Sequence, residues 1–184
     1  MTQNQQFLME AQAQVKEFEA KQEPESLSLA YQALENVTWV SEDNLEVRAR
    51  LRTDSLLLWL EMLRLLDRLL EPDFDSADMP EKFVEPPPVP GGVVLRPGAD
   101  PAGIKDPKVR AEYEQAIAAN RTKAERYRLQ TLLRRLDERI APRVDSFITQ
   151  AYASSPDDDK EARTTIDKVI DDAGRKAHLL ELLK

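Results

Sequence analysis

Residues 43–70 limit the fold more than any other stretch. Laid on a helical wheel at about 100° per residue, Leu45, Ala49, Leu56, Trp59, Leu60, Leu63, Leu66 and Leu70 fill one arc. Val47, Leu51, Leu58, Met62, Leu65 and Leu69 fill a second arc. Arg50, Asp54, Glu61, Arg64 and Arg68 share a narrow polar strip. A helix that is apolar on two faces needs cover on both. The expected fold is therefore all-α: an irregular bundle of about 5–7 helices around this central helix.

The flanking sequence supplies the cover. Residues 4–20 place Phe7, Ala11, Val15 and Phe18 on one face, and Glu23-Pro24 interrupts them. Residues 25–37 carry Leu27, Ala30, Tyr31, Leu34 and Val37 on one side. Ser41-Glu42-Asp43 offers the cap of the central helix. Asp106-Pro107 opens a fourth helix, Asp as N-cap and Pro at the first turn. Pro142 is expected to end or kink it near 140, leaving a fifth helix over 142–153. A further helix covers 158–172, and Gly174 sets it apart from a last segment with Leu179, Leu180, Leu182 and Leu183. No alternating β-branched run reads as a strand, and no fixed repeat argues for a solenoid.

Residues 71–106 break the pattern with eight prolines and four glycines. Proline fixes φ and lacks an N–H, so this is a long irregular or polyproline-like connection. The chain reads as one helical domain, 1–184, whose halves 1–70 and 107–184 are joined by that connection.

Cysteine is absent, which removes disulfides, thiolate nucleophiles and thiolate metal sites. His178 is the single histidine, and there is no nucleophile elbow, phosphate-binding loop or dinucleotide fingerprint. The acidic run Asp73–Asp78 fails the EF-hand pattern, because Ala77, Asp78 and Val84 stand where a ligand, a glycine and a glutamate belong. No catalytic residue, cofactor or metal is assigned. Leu56–Leu70 contains four charges, which argues against a membrane span. The N-terminus has no signal-peptide pattern, so the default location is cytoplasmic; a secreted or periplasmic protein is the alternative if a signal once preceded Met1.

Charge is uneven. The formal net charge is −8, yet residues 107–143 hold 10 Lys/Arg against 5 Asp/Glu. Arg110, Arg121, Arg128, Arg135, Arg139 and Arg143 lie in a strip about 80° wide on that helix. Arginine suits carboxylate and phosphate contacts. The acidic remainder of the chain and the lack of interleaved aromatics argue against nucleic acid. The bland reading is that the strip meets acidic neighbours within the protein. Asn120 lies among apolar residues of the same helix. A buried amide needs partners, either a loop backbone or a ligand.

The stretch Asp106–Lys123 resembles a segment of uncharacterised bacterial proteins, with weaker likeness from the Pro-rich region to about Ile140. The resemblance implies a bacterial origin and transfers no activity, cofactor or catalytic residue.

These features point to a non-enzymatic helical interaction protein. Its candidate partner-binding residues are Arg110, Asn120, Arg121, Arg128, Arg135 and Arg139, and the partner is another protein or a second copy. A carboxylate-dependent hydrolase is one alternative. Nucleic-acid binding through the Arg strip is the other.

Overall fold

A computed structural model describes residues 1–72, 74, 79–152 and 154–183. The acidic run 73–78 thus lies outside the described residues, apart from Phe74. The protein is all-helical, 74% helix, with no strand among the described residues. Six α-helices follow one another: α1 (Gln3–Lys21), α2 (Pro24–Glu35), α3 (Leu45–Leu69), α4 (Pro107–Tyr152), α5 (Pro156–Val169) and α6 (Ala173–Glu181). Short 3-10 turns occupy Trp39–Ser41 and Pro101–Gly103. No described helix is long and apolar enough to cross a membrane.

The chain forms two compact units. The first comprises residues 1–70 and 132–184, and the second residues 71–131.

In the first unit the helix starts follow local chemistry. Thr2 and Gln5 make a reciprocal capping box at the start of α1. Asn44, not the Ser41–Asp43 cluster, caps α3, its side chain accepting from the N–H groups of Glu46 and Val47 at 3.0 and 3.1 Å. The change is one of reach: Asn44 stands directly before the first helical turn, where a side-chain oxygen meets its free N–H groups.

Both apolar arcs of α3 are buried from Leu51 to Leu66. Leu56, Trp59, Leu60, Leu63 and Leu66 belong to one arc and Leu51, Leu58, Met62 and Leu65 to the other. Leu45 and Ala49, placed on the first arc by periodicity, are exposed. Helices α1 and α5 pack on α3, and Trp59 meets Tyr31 of α2 edge-on with ring centroids 5.7 Å apart.

Pro142 does not end α4. The helix runs unbroken through it to Tyr152. A helical proline costs about 3 kcal/mol. Around it Ile140, Val144, Phe147 and Ile148 are buried, each stabilising by about 1.5–3 kcal/mol, so continuation wins. Glu138, whose carbonyl loses its donor, is exposed like Pro142, and water can serve it. Gly174 likewise does not divide the last helices. The break falls at 170–172, where Asp172 caps α6 by accepting from the Arg175 N–H at 2.7 Å.

Polar ties join these helices at a few points. Arg175 of α6 donates to both carboxylate oxygens of Asp67 on α3 and, at 2.6 Å, to Asp137 on α4. Arg52 of α3 reaches Asp158 of α5 at 2.8 Å and lies 4.6 Å from the centre of the Tyr152 ring. His178 contacts Asp145 at 2.7 Å.

Candidate functional site

The second unit pairs residues 107–131 of α4 with the Pro-rich segment 71–106. Its small apolar core is Ile104, Val109 and Tyr113, with Val84, Val89, Leu95 and Ile117 packed around them. Val109, Tyr113 and Ile117 recur at helical spacing on one face of α4, so that face receives the Pro-rich segment.

So long an irregular segment has few backbone bonds of its own. Side chains of α4 supply the missing ones. Asp106 opens the helix, accepting from the Lys108 N–H at 2.9 Å. Arg110 donates through Nε to the Ile104 carbonyl at 2.9 Å. The Tyr113 hydroxyl donates to the Val84 carbonyl at 3.4 Å. Asn120 binds Glu81 in both directions: its Oδ1 accepts from the Glu81 N–H at 3.0 Å and its Nδ2 donates to the Glu81 carbonyl at 2.9 Å. Gln130, nearly fully buried, accepts from the Glu71 N–H at 3.0 Å. Arg126 grips the Glu71 carboxylate through Nε at 2.8 and 3.1 Å and holds it below its ordinary pKa. Segment 79–106 is therefore a strap fastened at intervals to one helix.

The strap exposes four large apolar side chains beside charged Glu81, Lys82, Glu85, Arg96 and Lys105. Met79, Phe83 and Val93 are each more than half exposed, and Val94 is 92% exposed. Beneath them are two open clefts. One of about 430 Å³ is bordered by Glu81, Phe83, Gly98, Tyr113, Asn120 and Arg121. The other, about 510 Å³, is bordered by Val89, Pro90, Val93, Leu95, Ile104 and Lys105. Gly98 has φ +81°, and a Cβ there would stand 3.0 Å from the Phe83 ring. Glycine is thus required where the strap turns under Phe83.

The arginine strip of α4 does not act as one block. Arg110 is spent on the Ile104 carbonyl. Arg143 pairs with Glu35 at 2.9 Å, and the Arg139 guanidinium lies 4.5 Å from the centre of the Tyr31 ring. Arg121, Arg128 and Arg135 are exposed, and no described residue pairs with them. Arg135 borders a separate cleft of about 350 Å³ in the first unit, with Pro24, Leu132, Leu136 and Arg139. Of the candidate residues, Arg110 and Asn120 hold the strap, and Arg121 borders the same cleft as Asn120. Sequence reasoning overlooked Gln130 and the exposed Phe83, Val93 and Val94. The Val93-Val94 pair beside Gly91-Gly92 was the available signal.

Burial pushes the Asp67 carboxyl above its ordinary pKa, while the hydrogen bonds and charge of Arg175 oppose this. That pairing ties helices together and borders none of the clefts described. Among the described residues no group of three or more His, Asp or Glu is placed to hold a metal ion.

Comparison with protein-family models, curated proteins and solved structures gives no match.

Proposed function

We propose that the protein is a non-enzymatic helical interaction protein whose contact surface is the strap 79–106. One observation carries this reading: the strap is held by at least four side-chain contacts to α4, yet leaves Met79, Phe83, Val93 and Val94 outside. Exposed apolar side chains gathered on one ordered segment are the usual mark of a protein-binding surface. Fastening the strap beforehand lowers the ordering cost of association. In the first unit exposed Met1 and Met9 border a cleft of about 650 Å³ with Leu8 and Val47, while Leu29, Val40, Leu45 and Leu57 are also exposed.

Within this reading, α3 organises the helices of the first unit into an irregular bundle that carries α4. Arg121 and Arg128 add unpaired positive charge on α4, suited to steering an acidic partner. A polyanion the size of a nucleic acid would meet a protein of net charge −8.

A photo-crosslinking residue placed at position 94 tests the proposal in the cells that make the protein, with one at exposed Ala20 of α1 as control. A discrete adduct from position 94 and none from position 20 is expected. An adduct of twice the chain's mass identifies a second copy as the partner. The same adducts from both positions, or none from either, refute the proposal.

A further inference from the structure

We infer that the strap's run Glu85-Pro86-Pro87-Pro88-Val89-Pro90 is a preformed polyproline II ligand, and that its partner is a protein module with an aromatic-lined groove. This rests on the interaction reading above and narrows it to one edge and one partner chemistry.

The conformation follows from the residues. Pro86, Pro87, Pro88 and Pro90 have φ locked near about −65°. Glu85, Pro86, Pro87 and Val89 each precede a proline, which pushes ψ toward the extended region. Every described peptide bond is trans. All residues from 85 to 90 are thus restricted toward polyproline II, a helix of about three residues per turn and about 3.1 Å rise.

Burial follows that threefold period on two of the three edges. Pro86 and Val89 share one edge; both are partly buried, and Val89 packs on the Ile104, Val109 and Tyr113 core. Glu85 and Pro88 share the next edge, and both are exposed. Pro87 and Pro90 share the third, on which Pro87 is partly buried and Pro90 exposed. One edge therefore holds the run to its own helix, the Glu85 and Pro88 edge faces outward, and the third is partly covered at Pro87 and open at Pro90.

The other two edges are chemically one-sided. Prolines donate nothing, and no described residue donates to a carbonyl of 85–90. The run carries pyrrolidine rings about 9 Å apart at partly buried Pro87 and exposed Pro90, with unused carbonyl acceptors between them. A groove of parallel aromatic rings with an indole or phenol donor matches this pattern. Exposed Glu85 on the neighbouring edge calls for a basic residue on the groove's rim.

The test titrates the full chain against three immobilised aromatic-groove probes: an SH3 domain, a WW domain and profilin. Four chains are compared: the unaltered protein, P87A/P90A on the edge that carries exposed Pro90, P86A on the edge that packs on the core, and V94D. Far-UV circular dichroism checks that all four retain their helix content. The expected result is saturable binding to at least one probe, weakened tenfold or more in P87A/P90A and less than threefold in P86A. No binding to any probe overturns the inference, as does equal binding by P87A/P90A. Position-94 crosslinking separates the two ideas: adducts at 94 together with no probe binding sink the polyproline inference and leave the interaction reading standing. Loss of the position-94 adduct with probe binding intact does the reverse for Val94.

Discussion

Arg175→Ala should be the most damaging single polar substitution in the first unit. The guanidinium lies between two carboxylates, 2.7 Å from Asp67 and 2.6 Å from Asp137. Its side chain is 16% exposed and theirs are 20% and 27% exposed. Removing one member of a buried ion pair costs about 3–5 kcal/mol, because the remaining charge is left without a partner. Residual exposure of the carboxylates places this case near the low end, about 3 kcal/mol, or on the order of 10 °C in melting temperature. The loss should depend on pH with a definite sign. Burial already raises the folded-state pKa of Asp67, and Arg175 opposes that rise. Without Arg175 the folded pKa climbs further above the unfolded value. A carboxyl raised in this way contributes stability that is full below its unfolded pKa and lost as pH rises through the folded one. The penalty is therefore largest at pH 7 and shrinks as the pH falls toward 4. Urea denaturation of the wild-type and R175A chains at both pH values measures it. D67N/R175A, with one orphaned charge removed, should recover roughly 1–2 kcal/mol at pH 7. A loss below about 1 kcal/mol at pH 7, or one that does not change with pH, would refute the reasoning.

Other substitutions probe the strap and the remaining polar clusters. Asn120→Ala removes both bonds to Glu81 and should raise amide exchange and protease cutting near residue 81, while leaving the helical circular dichroism unchanged. Gly98→Ala imposes a positive φ on a residue with a Cβ and crowds the Phe83 ring; about 1–2 kcal/mol of local stability should be lost, read as faster exchange across residues 81–84. The Tyr152 hydroxyl is buried with no hydrogen-bond partner among the described residues, and burial pushes its pKa up to about 12. Ultraviolet titration should therefore show a phenol that ionises only near about 12, and stability should fall as pH rises from about 10 to about 12. Replacing Tyr152 with Phe should abolish that late ionisation at little cost at pH 7, because no bonded partner is left behind.

The parts of this structure legible in the sequence are those where a strong period and the burial agree. The two apolar arcs of α3 repeat over many turns, and both are buried from Leu51 to Leu66. Asp106-Pro107 opens α4 because cap and first turn are purely local. The errors came where a local rule met a distant one. Pro142 is a helix breaker by its own chemistry, but the buried Ile140, Val144, Phe147 and Ile148 on either side outweigh it. Gly174 suggested a break that the Asp172 cap moved two residues earlier. At the strap, an amide among apolar neighbours marked Asn120 as needing partners. Its actual partner, Glu81, lies 39 residues away with no local signal connecting them. The arginine strip was visible as charge alone. Whether a guanidinium meets a carbonyl, a ring or only water depends on tertiary neighbours, and Arg110, Arg139 and Arg121 take these three fates.

The order of the chain has a consequence during synthesis. The first unit is built from two stretches separated by the 61 residues 71–131. A ribosome adding about 5–20 residues per second takes roughly 3–12 s to cross that interval. Throughout it Leu56, Leu60, Leu63 and Leu66 of α3 have been made, while α5 and the end of α4 that meet this helix have not. The nascent chain therefore presents to chaperones an apolar helix that the finished protein hides.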